Sequence, residues 1–143
     1  MNQIKFYRQD DPYGEFSNFY KAEITINGKT FVTTEHYFQA MKHENTSFFE
    51  TVRLAKTAGQ AFKLARSKQY RTDWEKIKDD VMRTALKTKF TQHSKLKELL
   101  LSTGDKIIIE HTKNDNYWAD GGDGTGKNML GKLLMELRDQ LKN

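Results

Sequence analysis

From Gln3 to Tyr7 polar and apolar residues alternate, a period of two that predicts a short strand. The turn formers Gln9-Asp10-Asp11-Pro12-Tyr13-Gly14, which hold the only proline of the chain, end it. In Phe16-Ser17-Asn18-Phe19-Tyr20 three rings surround two small polar residues without a regular period. This is the pattern of a loop pinned by its aromatics, with Ser17 and Asn18 offering hydrogen-bonding groups. Two β-rich runs, Glu23 to Ile26 and Lys29 to Val32, meet at Asn27-Gly28, a pair that accepts the left-handed backbone of a two-residue hairpin turn.

The period then lengthens. In Thr33-Thr34-Glu35-His36-Tyr37-Phe38-Gln39-Ala40-Met41-Lys42 a hydroxyl residue precedes a helical pattern, where it accepts from the free first-turn amides, and the helix dipole favours a carboxylate beside it. Glu35, Gln39 and Lys42 share one face at spacings of four and three, while Tyr37, Ala40 and Met41 share another. One face is expected to enter the core and the other to hold a ligand. An ordinary capping acid would occupy the place of Glu35 equally well.

Ser47 to Lys56 continues the helical pattern, and Ser47…Glu50, Thr57…Gln60 and Thr72…Glu75 repeat the capping-box spacing at three successive helix starts. An apolar stripe of Trp74, Ile77, Val81, Ala85 and Phe90 runs to about Thr91, and a short helix from Ser94 to Leu101 stops at Ser102-Thr103-Gly104. The β-branched run Lys106 to Glu110 reads as a buried strand. Pattern is lost from His111 to Gly126 and returns in a last helix, Asn128 to about Leu141, with Leu130, Leu133, Leu134, Leu137 and Leu141. The layout predicts a mainly helical α+β fold, one domain over residues 1–143 with a few short strands and about six helices, without the strict alternation of a doubly wound sheet.

Composition narrows the classes. A chain of 143 residues suits one domain with a real core. The absence of cysteine excludes a disulfide framework, a thiolate zinc site and a thiol nucleophile, and makes the cytoplasm the natural compartment. No apolar run is long enough to span a bilayer, and the first eleven residues lack the basic-then-apolar order of a secretory leader. The net charge of +5 is uneven: from Arg53 to Lys97 there are 13 Lys/Arg against 4 acids, a local excess of +9. Such a stretch is either a solvated helical surface or a face for phosphates.

The late loop His111 to Asn128 is long, polar and glycine-rich at its end, which in a compact domain points to function. Gly121 to Lys127 has the spacing of a phosphate-binding P-loop, but Asn128 stands where a magnesium-binding Ser or Thr is required. What remains is either a turn whose amides converge on an anion at a helix amino terminus or a plain turn. Tyr117 and Trp118 are stacking platforms for a heterocycle or plugs of the loop, and Asp115, Asp120 and Asp123 are second carboxylates or turn caps. The four histidines show no ligand spacing that completes a zinc site, so no metal and no cofactor are expected.

Taken together, Phe16-Ser17-Asn18-Phe19, Gly28-Lys29-Thr30, Thr34-Glu35-His36-Tyr37-Phe38-Gln39-Ala40, the basic helix Trp74 to Phe90, Glu110-His111-Thr112, Tyr117-Trp118, Gly121-Gly122-x-Gly124-x-Gly126-Lys127-Asn128 and Leu134-Met135-x-Leu137-Arg138 resemble the NADAR, or YbiA-like, family almost end to end. Phe31 departs from the tryptophan often found there and keeps an aromatic. The resemblance implies an N-glycosidase that hydrolyses reactive ribosylamino-pyrimidine phosphates of riboflavin biosynthesis and releases ribose 5-phosphate. It places the catalytic acid on Glu35 and pocket-lining groups on Trp118 and Asp120. In that scheme Glu35 stabilises oxocarbenium charge and orients water, with Asp120 as second polar partner. Trp118 stacks on the base, Ser17 and Asn18 bind sugar hydroxyls or base edges, Gln39 binds substrate from the Glu35 face, and the amides from Gly124 through Gly126 to Asn128 hold phosphate. A small phosphorylated ribosyl molecule is the expected partner, with no membrane and no obligate protein partner. Alternatives are an ADP-ribosyl substrate, on a nucleotide or on nucleic acid, and a non-catalytic nucleotide- or RNA-binding module.

Overall fold

The computed structural model describes residues 2–142. Its elements in chain order are β1 (Gln3–Phe6), a 3-10 turn (Gly14–Phe16), β2 (Ile24–Ile26), β3 (Lys29–Phe31), α1 (Thr34–Met41), α2 (Phe48–Arg53), α3 (Ala58–Arg66), α4 (Trp74–Gln92), α5 (Ser94–Ser102), β4 (Ile107–Glu110) and α6 (Met129–Leu141). The fold is α+β and mainly helical, as the periodicity predicts. Among the described residues no helix is long and apolar enough to cross a membrane. Contacts divide the chain into two compact units: residues up to Ser17 with those from His93 onward, and Asn18–Gln92.

In the first unit β1 and β4 pair in parallel, Gln3 opposite Ile107 and Phe6 opposite Glu110. Parallel partners need a long crossover, and the whole of the second unit lies between these two strands in the chain. Ile4 and Phe6 face inward, with Phe6 packed edge-on against Phe16 at 5.8 Å. The leucine stripe of α6 packs beside β4, burying Leu130, Leu133, Leu134 and Leu137. At its end the buried Arg138 donates to Thr103 Oγ1 at 2.9 Å and to Lys106 O at 2.7 Å. The expectation of a wholly buried late strand is corrected here: Ile108 is fully enclosed, but Ile107 is 45% exposed. Successive side chains of a strand point to opposite faces, so Ile108 enters the core while Ile107 turns to solvent.

In the second unit β2 and β3 form the expected antiparallel hairpin, Ile24 opposite Phe31. Asn27 and Gly28 carry φ of 53° and 78°, the left-handed pair that a tight two-residue turn requires. Gln92 at the end of α4 clamps the hairpin edge: its amide accepts from Thr25 N and donates to Thr25 O, both at 2.9 Å. Phe31 carries the hairpin into the core through edge-on contacts with Tyr37 and Phe49.

Three of the hydroxyls expected at helix starts fare differently. Thr33 caps α1 by accepting from His36 N, and Thr57 caps α3 by accepting from Gln60 N at 3.1 Å. Ser47 makes no side-chain cap for α2. Its expected partner Glu50 turns to Arg53 and Lys29, which hold its carboxyl down to about 2. Two cations outcompete one backbone amide for the same carboxylate.

Candidate active site

Helix α1 is buried on all sides. Every residue from Thr34 to Ala40 is buried, and so is Lys42. Polar groups so enclosed must be paired, and the pairing is orderly. Thr33 Oγ1 lies 2.8 Å from His36 Nδ1, and His36 Nε2 lies 3.0 Å from Ala55 O. A carbonyl only accepts, so Nε2 carries the proton and Nδ1 accepts from the Thr33 hydroxyl. Burial lowers the His36 pKa, against the Ala55 hydrogen bond that raises it. His43 Nε2 donates in the same way to Ala65 O at 2.8 Å.

Asn18 ties the preceding loop onto the start of this helix. Its backbone oxygen accepts from Glu35 N at 3.1 Å, its side-chain oxygen accepts from the Thr34 hydroxyl at 2.7 Å, and its amide nitrogen faces Met82 Sδ at 3.6 Å. The backbone oxygen thus fixes the first turn at Glu35, while the side chain holds Thr34 and Met82 on either side. Glu35 is 8% exposed, and its Oε2 accepts from Gln39 Nε2 at 2.8 Å, one turn along.

Lys42 continues this polar face. Its ammonium lies 4.4 Å from the Tyr70 ring centre, 5.5 Å from Phe38 and 5.7 Å from Trp74, and donates to Tyr70 Oη at 3.3 Å. Burial lowers its pKa to about 8, while the charge of Glu35 acts to raise it. Three ring faces attract the charged form. Sequence reading placed Lys42 on the Glu35 face, but the aromatic cage draws on Tyr70 and Trp74, about 30 residues away, and no local signal announces it.

The late loop of the other unit forms a second polar cluster. Asp120 is buried; its Oδ2 lies 2.7 Å from His111 Nδ1, and its Oδ1 accepts from Thr112 N at 3.2 Å and Gly122 N at 2.8 Å. Burial alone would raise its pKa, but the hydrogen bonds from His111, Gly122 and Thr112 hold it below the usual carboxylate value. Asp120 is thus a fixed anion, and the half-exposed imidazole of His111 is the group of this pair that can meet a ligand. His111 is a residue that sequence reasoning missed as a site candidate, although it stands inside Glu110-His111-Thr112. Asp115 Oδ1 accepts from Tyr117 N and Trp118 N, both at 2.8 Å, so this acid caps a turn and presents the half-buried Trp118 ring, edge-on to Tyr117.

The glycine turn is built differently from the expected anion cradle. Gly124 N and Gly126 N both donate to Asp120 O, Thr125 N to Asp123 Oδ1, Lys127 N to Asn116 O and Asn128 N to Ala119 O. Amides expected to hold phosphate are engaged within the chain. Gly126 is required by close approach, because a Cβ there would lie 2.5 Å from Ala119 O. Asn128, with φ of 52°, does not cap α6; its side chain accepts from Glu110 N at 3.0 Å and donates to Ile108 O at 2.9 Å. It pairs with β4 as a neighbouring strand would. Ser17 is buried, with its amide on Gly14 O.

The structure thus gathers Asn18, Glu35 and Gln39 at α1, and Trp118, Asp120, Gly124, Gly126 and Asn128 in the late loop of the other unit. An open polar recess of about 460 Å³ lies in that loop, bounded by Lys113, Asp115, Asn116, Gly121, Asp123 and Thr125 among others. Among the described residues no three His, Asp or Glu side chains gather as a metal ion requires.

The NADAR domain family model matches residues 5–142. The N-glycosidase YbiA of Escherichia coli (strain K12) is 50% identical over 140 residues, covering 96% of this chain and 88% of that protein. An N-glycosidase of Nostoc punctiforme is 37% identical, covering 98% of this chain and 93% of that protein. A riboflavin biosynthesis protein of Vibrio vulnificus is 43% identical over 97% of this chain, which spans 38% of that longer protein. The NMR structure of E. coli YbiA superposes with a TM-score of 0.90 at 49% identity, covering 99% of this chain and 86% of that one.

Proposed function

The chain belongs to the NADAR domain family, and on that basis we propose that it is an N-glycosidase that cleaves a phosphorylated ribosylamino-pyrimidine and releases ribose 5-phosphate. Its reaction class, hydrolysis of an N-glycosyl bond, is that of the N-glycosidases with which it shares up to half its residues. The pyrimidine substrate draws on a relative named for riboflavin biosynthesis. The absence of cysteine fits a cytoplasmic setting for this chemistry.

One observation carries the reading. Glu35 is a nearly enclosed carboxylate held by an amide one turn away. Breaking the bond between the ribose carbon and nitrogen leaves positive charge shared by that carbon and the ring oxygen. A fixed anion in a site poor in water stabilises that charge without reorganising, a contribution of about 3–4 kcal/mol for a well-aimed group. Within the same unit Asn18 acts by fixing the start of α1. Asp120 acts through His111, keeping its imidazole oriented. The amides of Gly124 to Asn128 are engaged within the chain, so a phosphate bound at that turn is held by side chains.

Glu35→Gln tests this. It keeps shape and removes charge, so kcat should fall by about 10²- to 10³-fold while circular dichroism and the unfolding midpoint stay in place. Wild-type turnover in a folded Glu35→Gln protein would overturn the mechanism. A second reading, an ADP-ribosyl substrate, is favoured by the local excess of +9 between Arg53 and Lys97. Base release measured on both substrates separates the two.

A further inference from the structure

Gln39 is 3% exposed, and its side-chain oxygen Oε1 is buried without a hydrogen-bond partner among the described residues. Its orientation is fixed, because Nε2 donates to Glu35 Oε2 at 2.8 Å. Turning the amide over would set a carbonyl oxygen against a carboxylate. Leaving a buried acceptor unpaired costs about 1–3 kcal/mol, and native proteins pair such groups with protein or with ordered water. Around it the neighbouring polar groups of α1 have partners: His36 with Thr33 and Ala55, His43 with Ala65, Lys42 with Tyr70. Gln39 Oε1 stands apart from them as an acceptor waiting for a donor.

The chemistry of the atom limits what fills the place. An ionised phosphate has no hydrogen to give, and a ring face has none in the right direction. A group with O–H or N–H is required, and the acceptor belongs to the same amide that grips Glu35. We infer that Gln39 seats the hydrolytic water, which donates one hydrogen to Gln39 Oε1 and the other toward the Glu35 carboxylate. With both hydrogens committed, an oxygen lone pair is directed away from the helix and toward the sugar. The inference rests on Glu35 as the carboxylate of the reaction proposed above. In the step itself the water oxygen bonds to the ribose carbon as the carbon–nitrogen bond breaks. The bonding pair stays on nitrogen, which takes a proton from solvent, and the proton lost by water passes to Glu35 and on to solvent. Gln39 touches the reacting water and is neither reduced nor protonated. Gln39 is thereby assigned a different task from the substrate binding expected of it: it holds the nucleophile, and the sugar and base are left to other groups.

Two measurements on the intact protein decide the matter. A crystal structure of the unliganded protein at a resolution that orders solvent should show a water at hydrogen-bonding distance, about 2.6–3.2 Å, from both Gln39 Oε1 and Glu35. A protein donor there, or no density, overturns the inference whatever the substrate proves to be. The second measurement compares wild type with Gln39→Met in aqueous methanol, following base release and reducing-sugar release together. Methanol has one O–H and cannot satisfy both acceptors, so wild type should strongly favour hydrolysis. In Gln39→Met, kcat should fall by about 10- to 100-fold with KM unchanged, and the share of methyl riboside should rise several-fold. A raised KM with kcat preserved would mean that Oε1 contacts substrate; a lowered kcat with unchanged partition would mean that Gln39 only supports the fold. Either result refutes the assignment. Full activity in Glu35→Gln would instead sink the reading beneath it, and the solvent structure would still judge the water seat by itself.

Discussion

Thr33 controls the start of the helix that carries Glu35, and removing its hydroxyl is a sharp test of how that helix is held. The hydroxyl does two things at once: it accepts from His36 N at 3.1 Å and, by the tautomer argument, donates to His36 Nδ1 at 2.8 Å. Both residues are buried, so water does not replace either bond. In Thr33→Val, a substitution of nearly the same shape, the lost cap contributes about 1 kcal/mol. The abandoned imidazole nitrogen adds about 1–3 kcal/mol, for a total of about 2–4 kcal/mol. Thr33→Ser keeps the hydroxyl and loses one methyl, about 0.8 kcal/mol. Urea unfolding followed by tryptophan fluorescence should therefore rank wild type above Thr33→Ser and place Thr33→Val well below both. If Thr33→Val matched or exceeded Thr33→Ser, the double role of the hydroxyl and the assigned tautomer would both be wrong.

The same histidine predicts a pH response. Burial sets the folded pKa of His36 below its ordinary 6.5, so the unfolded chain binds the proton more readily; the stability gained from a neutral His36 is full above that value and is lost as pH falls below it. An NMR titration in which the His36 ring protonates above 6.5 would contradict this. For the late loop, Asp120→Asn leaves one acceptor oxygen where two serve His111, Thr112 and Gly122, so stability should drop by about 1–3 kcal/mol and amide exchange should quicken at Thr112 and Gly122. Unchanged protection at those amides would show that Asp120 does not hold the loop.

Much of the local structure is legible in the chain because its causes span three or four residues. Asn27-Gly28 dictates a hairpin because few other pairs tolerate two left-handed residues, and the turn forms as expected. Thr33 and Thr57 cap helices because each hydroxyl reaches an amide three positions on. The leucine spacing of the last helix likewise fixes its buried face. Ser47 fails by the same logic. Its spacing to Glu50 is correct, but Lys29 arrives from β3 and Arg53 from one turn along, and the carboxylate goes to them.

The candidate site divides along this line. Composition, periodicity and family motifs single out Glu35, Trp118 and Asp120 as residues, since an acid after a capping hydroxyl and a polar, aromatic, glycine-rich loop are visible in one dimension. Their working state is not. That Asp120 is a saturated anion behind His111, that the amides around Gly124 and Gly126 are already spent, and that Asn128 pairs with β4 all depend on which donors arrive from elsewhere in the fold. Spacing names the groups able to bond, whereas only the tertiary structure settles which of several competing partners each one gets. For Gln39 it leaves a single buried oxygen with none among the described residues.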